Sequence, residues 1–210
     1  MNNLTLFVLF IGLISCTHSR YYEKREPNYD SLRIVLDKMW DRDQHIRRVL
    51  IDSIRLSSPP AEIFIKRMRD VDQENQKELQ IILDRFGWIP QSKIGEGAAG
   101  TFFIVIQHSD TSVMAKWFPV FKSLAEKGEA NRMNCATMED RLLMWRGKKQ
   151  IYGTQATSTD NNKTLFIWPI ENPQEVNARR KKIGFETTVE ENAKNLGASY
   201  NPDEKLPPIK

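Results

Sequence analysis

From residue 31 onward apolar side chains recur at helical spacing. Leu32, Leu36, Met39, Ile46, Leu50 and Ile54 fall on one face of a helix expected to start at a cap on Asp30 or Ser31 and to run to about Leu56. The stripe has one gap, Asp43, at a position that the spacing turns toward a core. Arg47, one turn later, shares its face, and Gln44 lies one step round. Ser58-Pro59-Pro60 ends this helix, because a residue before proline is driven out of the helical region. A second helix, to Phe86, carries Phe64, Met68, Val71, Leu79, Ile82 and Phe86. Its gap is Asn75, with Asp72 three residues earlier. Folded as an antiparallel hairpin about Pro59, the chain places Asp43 and Asn75 at the same level, each 16 residues from the turn. Two such polar residues are expected to bond to each other or to a third group, because an unpaired buried amide or carboxylate is costly. They serve either to fix helix register or to build a site.

Gly87 and Pro90 close the second helix. The run Gly95-Glu96-Gly97-Ala98-Ala99-Gly100 matches G-x-G-x-x-G, but a helix and a proline-bearing loop precede it where a dinucleotide fold needs a strand. It is read instead as small residues that let a buried helix approach its neighbours. Residues 101–106 are apolar on all sides and are expected to continue that helix, which delivers Gln107-His108-Ser109-Asp110 at its end. Of the three histidines, only His108 emerges from a buried segment, and histidine is the side-chain type that exchanges protons near neutral pH. Asp110 or Thr111 can cap the next helix, where Pro119 predicts a kink or a fresh start. A helix over 131–146 places Cys135, Met138, Leu142 and Trp145 on one face and leaves Asp140 and Arg141 off it. The polar run Gln150-Ile151-Tyr152-Gly153-Thr154-Gln155 then opens a β-hairpin of strands 150–157 and 164–170 about a turn at 160–163. Asn172 is a predicted helix cap ahead of Arg179 and Arg180, one of which is expected to face an anion. Thr187 with Glu190 is a predicted capping box.

Composition places these elements in one domain. At 210 residues and 40% hydrophobic the chain can bury one substantial core, taken as 30–197, with 198–210 as a disordered tail. The fold class expected is mostly α: a multi-helix bundle with a small hairpin near the C-terminal third. Residues 1–15 hold no charged side chain, and the apolar run 4–14 is about 16 Å long as a helix, too short to cross roughly 30 Å of hydrocarbon. Leu13-Ile14-Ser15-Cys16 resembles a bacterial lipobox, which makes 1–15 a lipoprotein signal peptide, Cys16 the acylated residue and 16–29 a tether. The alternatives are an ordinary signal peptide cut near Ser15, with Cys16 incidental, or a buried N-terminal helix. The expected location is therefore the bacterial cell envelope, lipid-anchored and facing periplasm or exterior. Lipidation of Cys16 leaves Cys135 without a disulfide partner. The net charge of +4 is mild and interleaved, which argues against nucleic acid as a partner. A lone buried-segment histidine, no second thiol and no H-E-x-x-H support neither a metal nor another cofactor.

Taken in order, Asp43-Gln44 with Arg47, Asp72 with Asn75, Gly87-Trp88, Gln107-His108 with Asp110, Asp140-Arg141, Gln150 with Tyr152-Gly153-Thr154-Gln155, and Pro169-Ile170 with Asn177 and Arg179-Arg180 resemble a bacterial family, domain of unknown function 6624. The likeness spans roughly 32–184. It groups these residues and implies no activity for them. The function expected from the residues is a polar interhelical pocket for a small polar or anionic ligand. Asp43, Gln44, Arg47, Asp72, Asn75, Gln107, His108, Asp110, Asp140, Arg141, Gln150, Tyr152, Thr154, Gln155, Arg179 and Arg180 are its candidate residues. In the enzymatic version, an envelope hydrolase or lyase, His108 acts as general acid or base with Asp43 as its carboxylate. The contrasting expectation is an interaction lipoprotein whose exposed aromatics, such as Tyr21, Tyr22 or Trp168, meet a protein partner.

Overall fold

The computed structural model describes residues 26–56, 61–158 and 164–207. The signal segment, Cys16, Tyr21, Tyr22, the Ser58-Pro59-Pro60 break and the 160–163 turn lie outside the described residues.

The molecule is mostly α. Helices α1 (Tyr29–Leu56) and α2 (Ala61–Phe86) form the antiparallel hairpin that the two stripes predict. They are followed by α3 (Gln91–Ile94), α4 (Glu96–Gln107), α5 (Thr111–Glu126) and α6 (Arg132–Trp145). Strands β1 (Ala156–Thr157) and β2 (Leu165–Ile167) come next. A 3-10 turn at Pro173–Glu175 leads into α7 (Val176–Ile183), then α8 (Val189–Asn195) and β3 (Ala198–Ser199) close the fold. None of the described helices is long and apolar enough to cross a membrane.

Helix α4 is the axis of the larger core. Ala98, Phe102, Val105 and Ile106 are buried, as are Leu36 and Met39 of α1 and Leu79 and Leu83 of α2. The near absence of polar residues in 101–106 requires this central position, since a helix apolar all round has no face to give to water. Close approach does not require the glycines of this run: a Cβ at Gly100 would make an ordinary 3.7 Å contact with the Trp40 ring, and at Gly95 and Gly97 it would meet nothing within 4 Å. Trp88, which follows α2, stacks on Phe121 at 4.6 Å and on Phe102 at 5.6 Å between ring centroids. A second, smaller core of Ile167, Ile170, Val176, Val189 and Ala193 joins the sheet to α7 and α8.

Several local expectations are corrected. Asn28, not Asp30 or Ser31, caps α1: its Oδ1 accepts from Ser31 N at 3.0 Å, while Asp30 pairs with Arg33. The α1 stripe turns away from the core at its end, leaving Ile54 exposed and Ser53 buried with its hydroxyl donating to the Leu50 carbonyl. Of the two outcomes expected at Pro119, the fresh start does not occur, since α5 runs through it as one element; burial of Phe121 and partial burial of Trp117 and Phe118 offset the roughly 3 kcal/mol that an interior proline costs. Trp145 is exposed, so the α6 stripe ends at Leu142. Residues 150–155 are a loop held by side chains, not a strand, and the hairpin shortens to Ala156↔Ile167 and Thr157↔Phe166. Asn172 adopts a left-handed conformation (φ 45°) and makes no side-chain cap. The capping box is Thr188 with Glu191, one residue later than expected, because Thr187 is engaged by Arg180. The expected free tail from 198 begins as a strand: Ala198 and Ser199 pair in parallel with Leu165 and Phe166, and Tyr200 packs on the second core. Trp168 is buried, with Nε1 donating to the Lys148 carbonyl at 2.7 Å, so it offers no partner surface.

Candidate functional site

The two polar gaps in the hairpin stripes find separate partners. Asn75 Nδ2 donates to the Met39 carbonyl at 3.0 Å, one turn before Asp43, and its Oδ1 is buried without a partner. Asp43, 1% exposed, instead meets a group from α4: its Oδ1 lies 2.9 Å from Nδ1 of His108. Gln44 Nε2 donates to Asp43 Oδ2 at 2.8 Å, and Arg47 Nη1 lies 3.1 Å from Oδ1. Arg47 also reaches α2, donating through Nη2 to Asp72 Oδ1 at 2.9 Å. Gln76 Nε2 donates to the His108 carbonyl at 3.1 Å and so holds the helix end that presents the ring.

Ligand-type atoms of Asp43, Asp72 and His108 all lie within 4.8 Å of one another, a spacing that suits a metal ion. The guanidinium of Arg47 contacts both carboxylates, however, and supplies the positive charge that a cation would bring. The cluster is therefore an ion-paired support for the imidazole. A carboxylate can only accept, so His108 Nδ1 carries the proton toward Asp43, and in the neutral ring this leaves the Nε2 lone pair as the basic position.

His108 lines a cleft of about 440 Å³ together with Gln107, Arg141, Thr137, Thr154 and Gln155. Its apolar wall is Phe103, Ile104, Ala156, Leu165 and Leu196. Helix α4 thus contributes the histidine, α6 the arginine and the polar loop the glutamine. Arg141 is fixed by two bonds, Nε to Gln155 Oε1 at 3.1 Å and Nη1 to the Gln107 carbonyl at 2.9 Å. Both acceptors are neutral, and no carboxylate pairs with Arg141 among the described residues. Burial, and then the nearby Arg47 charge, push its pKa down, which marks a guanidinium whose charge is poorly compensated. Gln107, 4% exposed, keeps its side-chain Oε1 buried without a hydrogen-bond partner among the described residues.

The polar loop is built around Asp140. This fully buried carboxylate accepts from Ile151 N (2.7 Å), Tyr152 N, Thr154 N (3.0 Å) and the Thr154 hydroxyl (2.9 Å). Burial pushes its pKa up, against the donors that pull it down. Gln150, also fully buried, spans the loop: Nε2 donates to the carbonyls of Gln155 and Trp168, and Oε1 accepts from Gln155 N. Gln155 lines the cleft, but both ends of its amide are taken, Nε2 by the Thr137 carbonyl and Thr154 Oγ1.

The family described as "Family of unknown function (DUF6624)" matches residues 30–204. The chain belongs to this family. No curated protein and no solved structure matches the chain. The whole constellation, from Asp43 to Arg180, lies inside the family's segment.

Not all candidate residues converge. The Tyr152 side chain lines a different cavity, with Cys135, Lys122 and Lys182, and joins the loop only through its backbone. Arg180, 1% exposed, forms no ion pair among the described residues; it donates to the carbonyls of Tyr152 and Thr187 and to the Thr187 hydroxyl, with its guanidinium 4.4 Å from the Phe185 ring centroid and the charges of Asp140, Glu190 and Glu191 acting on it from further away. Arg179 ties down the carbonyls of Ile151, Glu171 and Asn172 and lies 3.8 Å from the Glu175 carboxylate. Asp110 is exposed at the start of α5 and makes no side-chain cap bond. Gln76 and Thr137, together with the apolar wall of the cleft, are absent from the candidate set. Gln76 sits one position after Asn75 on α2, and only the docking of α4 reveals its partner.

Proposed function

We propose that the cleft binds a small anionic ligand and that His108, oriented by Asp43, transfers a proton to or from it. The observation that carries this is the presence, in one cleft, of a guanidinium without a carboxylate partner and an imidazole fixed by a buried carboxylate. Arg141 would hold the anionic group. His108 Nε2 would take a proton from water, giving hydrolysis, or from the ligand itself, giving elimination. The hydroxyls in the cleft are poor nucleophile candidates: Thr154 Oγ1 donates to Asp140 and Thr137 Oγ1 to the Met133 carbonyl. The setting we propose is the bacterial envelope, with Cys16 as the lipid anchor, on the strength of the apolar run and lipobox-like order at 4–16.

The test compares envelope extracts by untargeted mass spectrometry from a deletion strain carrying wild type, His108→Gln or Arg141→Met. Both variants are expected to leave the same small anion accumulated as in the deletion, at wild-type protein abundance. A wild-type profile for His108→Gln overturns the proton-transfer role, and one for Arg141→Met overturns anion binding. Cys16→Ser is expected to move the protein from the membrane to the soluble fraction; retention in the membrane fraction refutes the anchor.

A further inference from the structure

The cleft that holds His108 and Arg141 changes character from one end to the other. On α4, Phe103 and Ile104 precede Gln107 and His108 by one turn, about 6 Å along the helix axis. On the wall made by the loop and the sheet the lining changes in the same sense, from Thr154 and Gln155 to Ala156 of β1 and Leu165 of β2. Arg141 aligns the two walls, since it donates to Gln107 on one and to Gln155 on the other and so draws both polar ends together. The apolar ends are thereby left together, with Leu196 beside them. Ile104, Ala156 and Leu165 are each partly open to solvent and Leu196 is 41% exposed, so this surface is within reach of a molecule in the cleft. At the polar end, two of the five N–H groups of Arg141 go to neutral acceptors, which leaves the others for an anion. One guanidinium matches the single charge of a carboxylate.

We infer that the cleft takes an amphiphilic anion: a carboxylate at the end of an unbranched alkyl chain, its head on Arg141 beside His108 and its chain against Ile104, Leu165 and Leu196. This rests on the anion-binding cleft proposed above and adds the tail of the ligand to it. A bare anion leaves the exposed leucine in water, whereas each methylene buried against this wall strengthens binding about 3–4-fold.

The test is a chain-length series of acetate, butanoate, hexanoate and octanoate, with hexanol as the uncharged counterpart of hexanoate. Titration calorimetry is run on wild type, on Arg141→Met, on Leu196→Ser and on Leu165→Ser combined with Leu196→Ser, each checked for fold by circular dichroism. The Leu196→Ser position is exposed, so that variant serves should the double variant not fold. Wild type is expected to bind hexanoate on the order of 100-fold more tightly than acetate, and about 10-fold or more tighter than hexanol. The serine variants should flatten the dependence on chain length and leave acetate binding unchanged. Arg141→Met should weaken every acid alike and keep the dependence. Binding that does not change with chain length overturns this inference and leaves the anion cleft standing. An unaltered dependence in the serine variants places the chain elsewhere and overturns it too, as does hexanol binding as tightly as hexanoate. No binding of any of the four acids overturns the inference and counts against the cleft as well.

Discussion

Asp140→Ala isolates the support beneath the cleft. The substitution removes the side-chain acceptor that, among the described residues, serves the backbone N–H groups of Ile151, Tyr152 and Thr154 and the Thr154 hydroxyl. A buried donor left unpaired costs about 1–3 kcal/mol. Ile151, Tyr152 and Thr154 are only partly buried, so water recovers some of that loss. Taking three N–H groups at the low end gives a destabilisation of about 3–6 kcal/mol, a large share of the roughly 5–15 kcal/mol that holds a typical domain. For a chain of this length that lowers Tm by on the order of 10–20 °C. Equilibrium urea unfolding followed by circular dichroism measures the loss, and hydrogen exchange at the Ile151, Tyr152 and Thr154 amides localises it. Because the loop carries Gln155, which aligns Arg141, affinity for anionic ligands should fall with it. Asp140→Asn keeps one acceptor oxygen and is expected to lose about half as much. A change below about 1 kcal/mol in Asp140→Ala, with unaltered exchange at the three amides, would show that the loop stands without this carboxylate.

Three other outcomes follow from the same geometry. Gly153 has φ 70° and a Cβ there would lie 2.6 Å from Val189 Cγ2 and 2.8 Å from Ile170 Cδ1; Gly153→Ala should cost about 2–4 kcal/mol from backbone strain and overpacking, read by urea unfolding. Asp43→Ala leaves Arg47 and His108 without their shared carboxylate and should cost about 3–5 kcal/mol, against about 1 kcal/mol for His108→Gln; equal losses in a thermal melt would contradict the arrangement. Burial pushes the Cys135 thiol up from 9.0 to about 12. Above pH 9 the folded thiol keeps its proton while the unfolded one loses it, so this group makes stability fall by up to about 1.4 kcal/mol per pH unit as pH rises toward 12; Cys135→Ala should show a shallower fall, the remainder coming from Tyr152, Tyr200 and Lys122, whose pKa values are also raised.

The first 86 residues show what periodicity can establish. A gap in an apolar stripe is visible locally, because helical spacing alone decides which positions face inward, and Asp43 and Asn75 were legible as buried polar residues for that reason. Their partners were not. Asp43 meets His108, 65 positions away, because α4 docks into the hairpin, and Asn75 turns to a backbone carbonyl. The dense polar loop was visible by composition, yet composition does not separate a side chain that meets a ligand from one that ties down a carbonyl. Gln150, Arg179 and Arg180 do the second, which a carbonyl-rich loop demands once it is buried without a full strand ladder.

By itself, then, the sequence determined the helical hairpin, the buried central helix, the positions of most helix ends and the inventory of polar residues, since each follows from local spacing or turn chemistry. Tertiary structure alone decided which of those residues share the cleft: Gln107, His108, Arg141, Thr154 and Gln155 line it, with Asp43 and Asp72 behind the imidazole. It also left Arg141 without a counter-charge and Gln107 Oε1 without a donor. Both depend on what distant segments bring within about 3 Å, a distance at which packing, and not neighbourhood along the chain, chooses the partners.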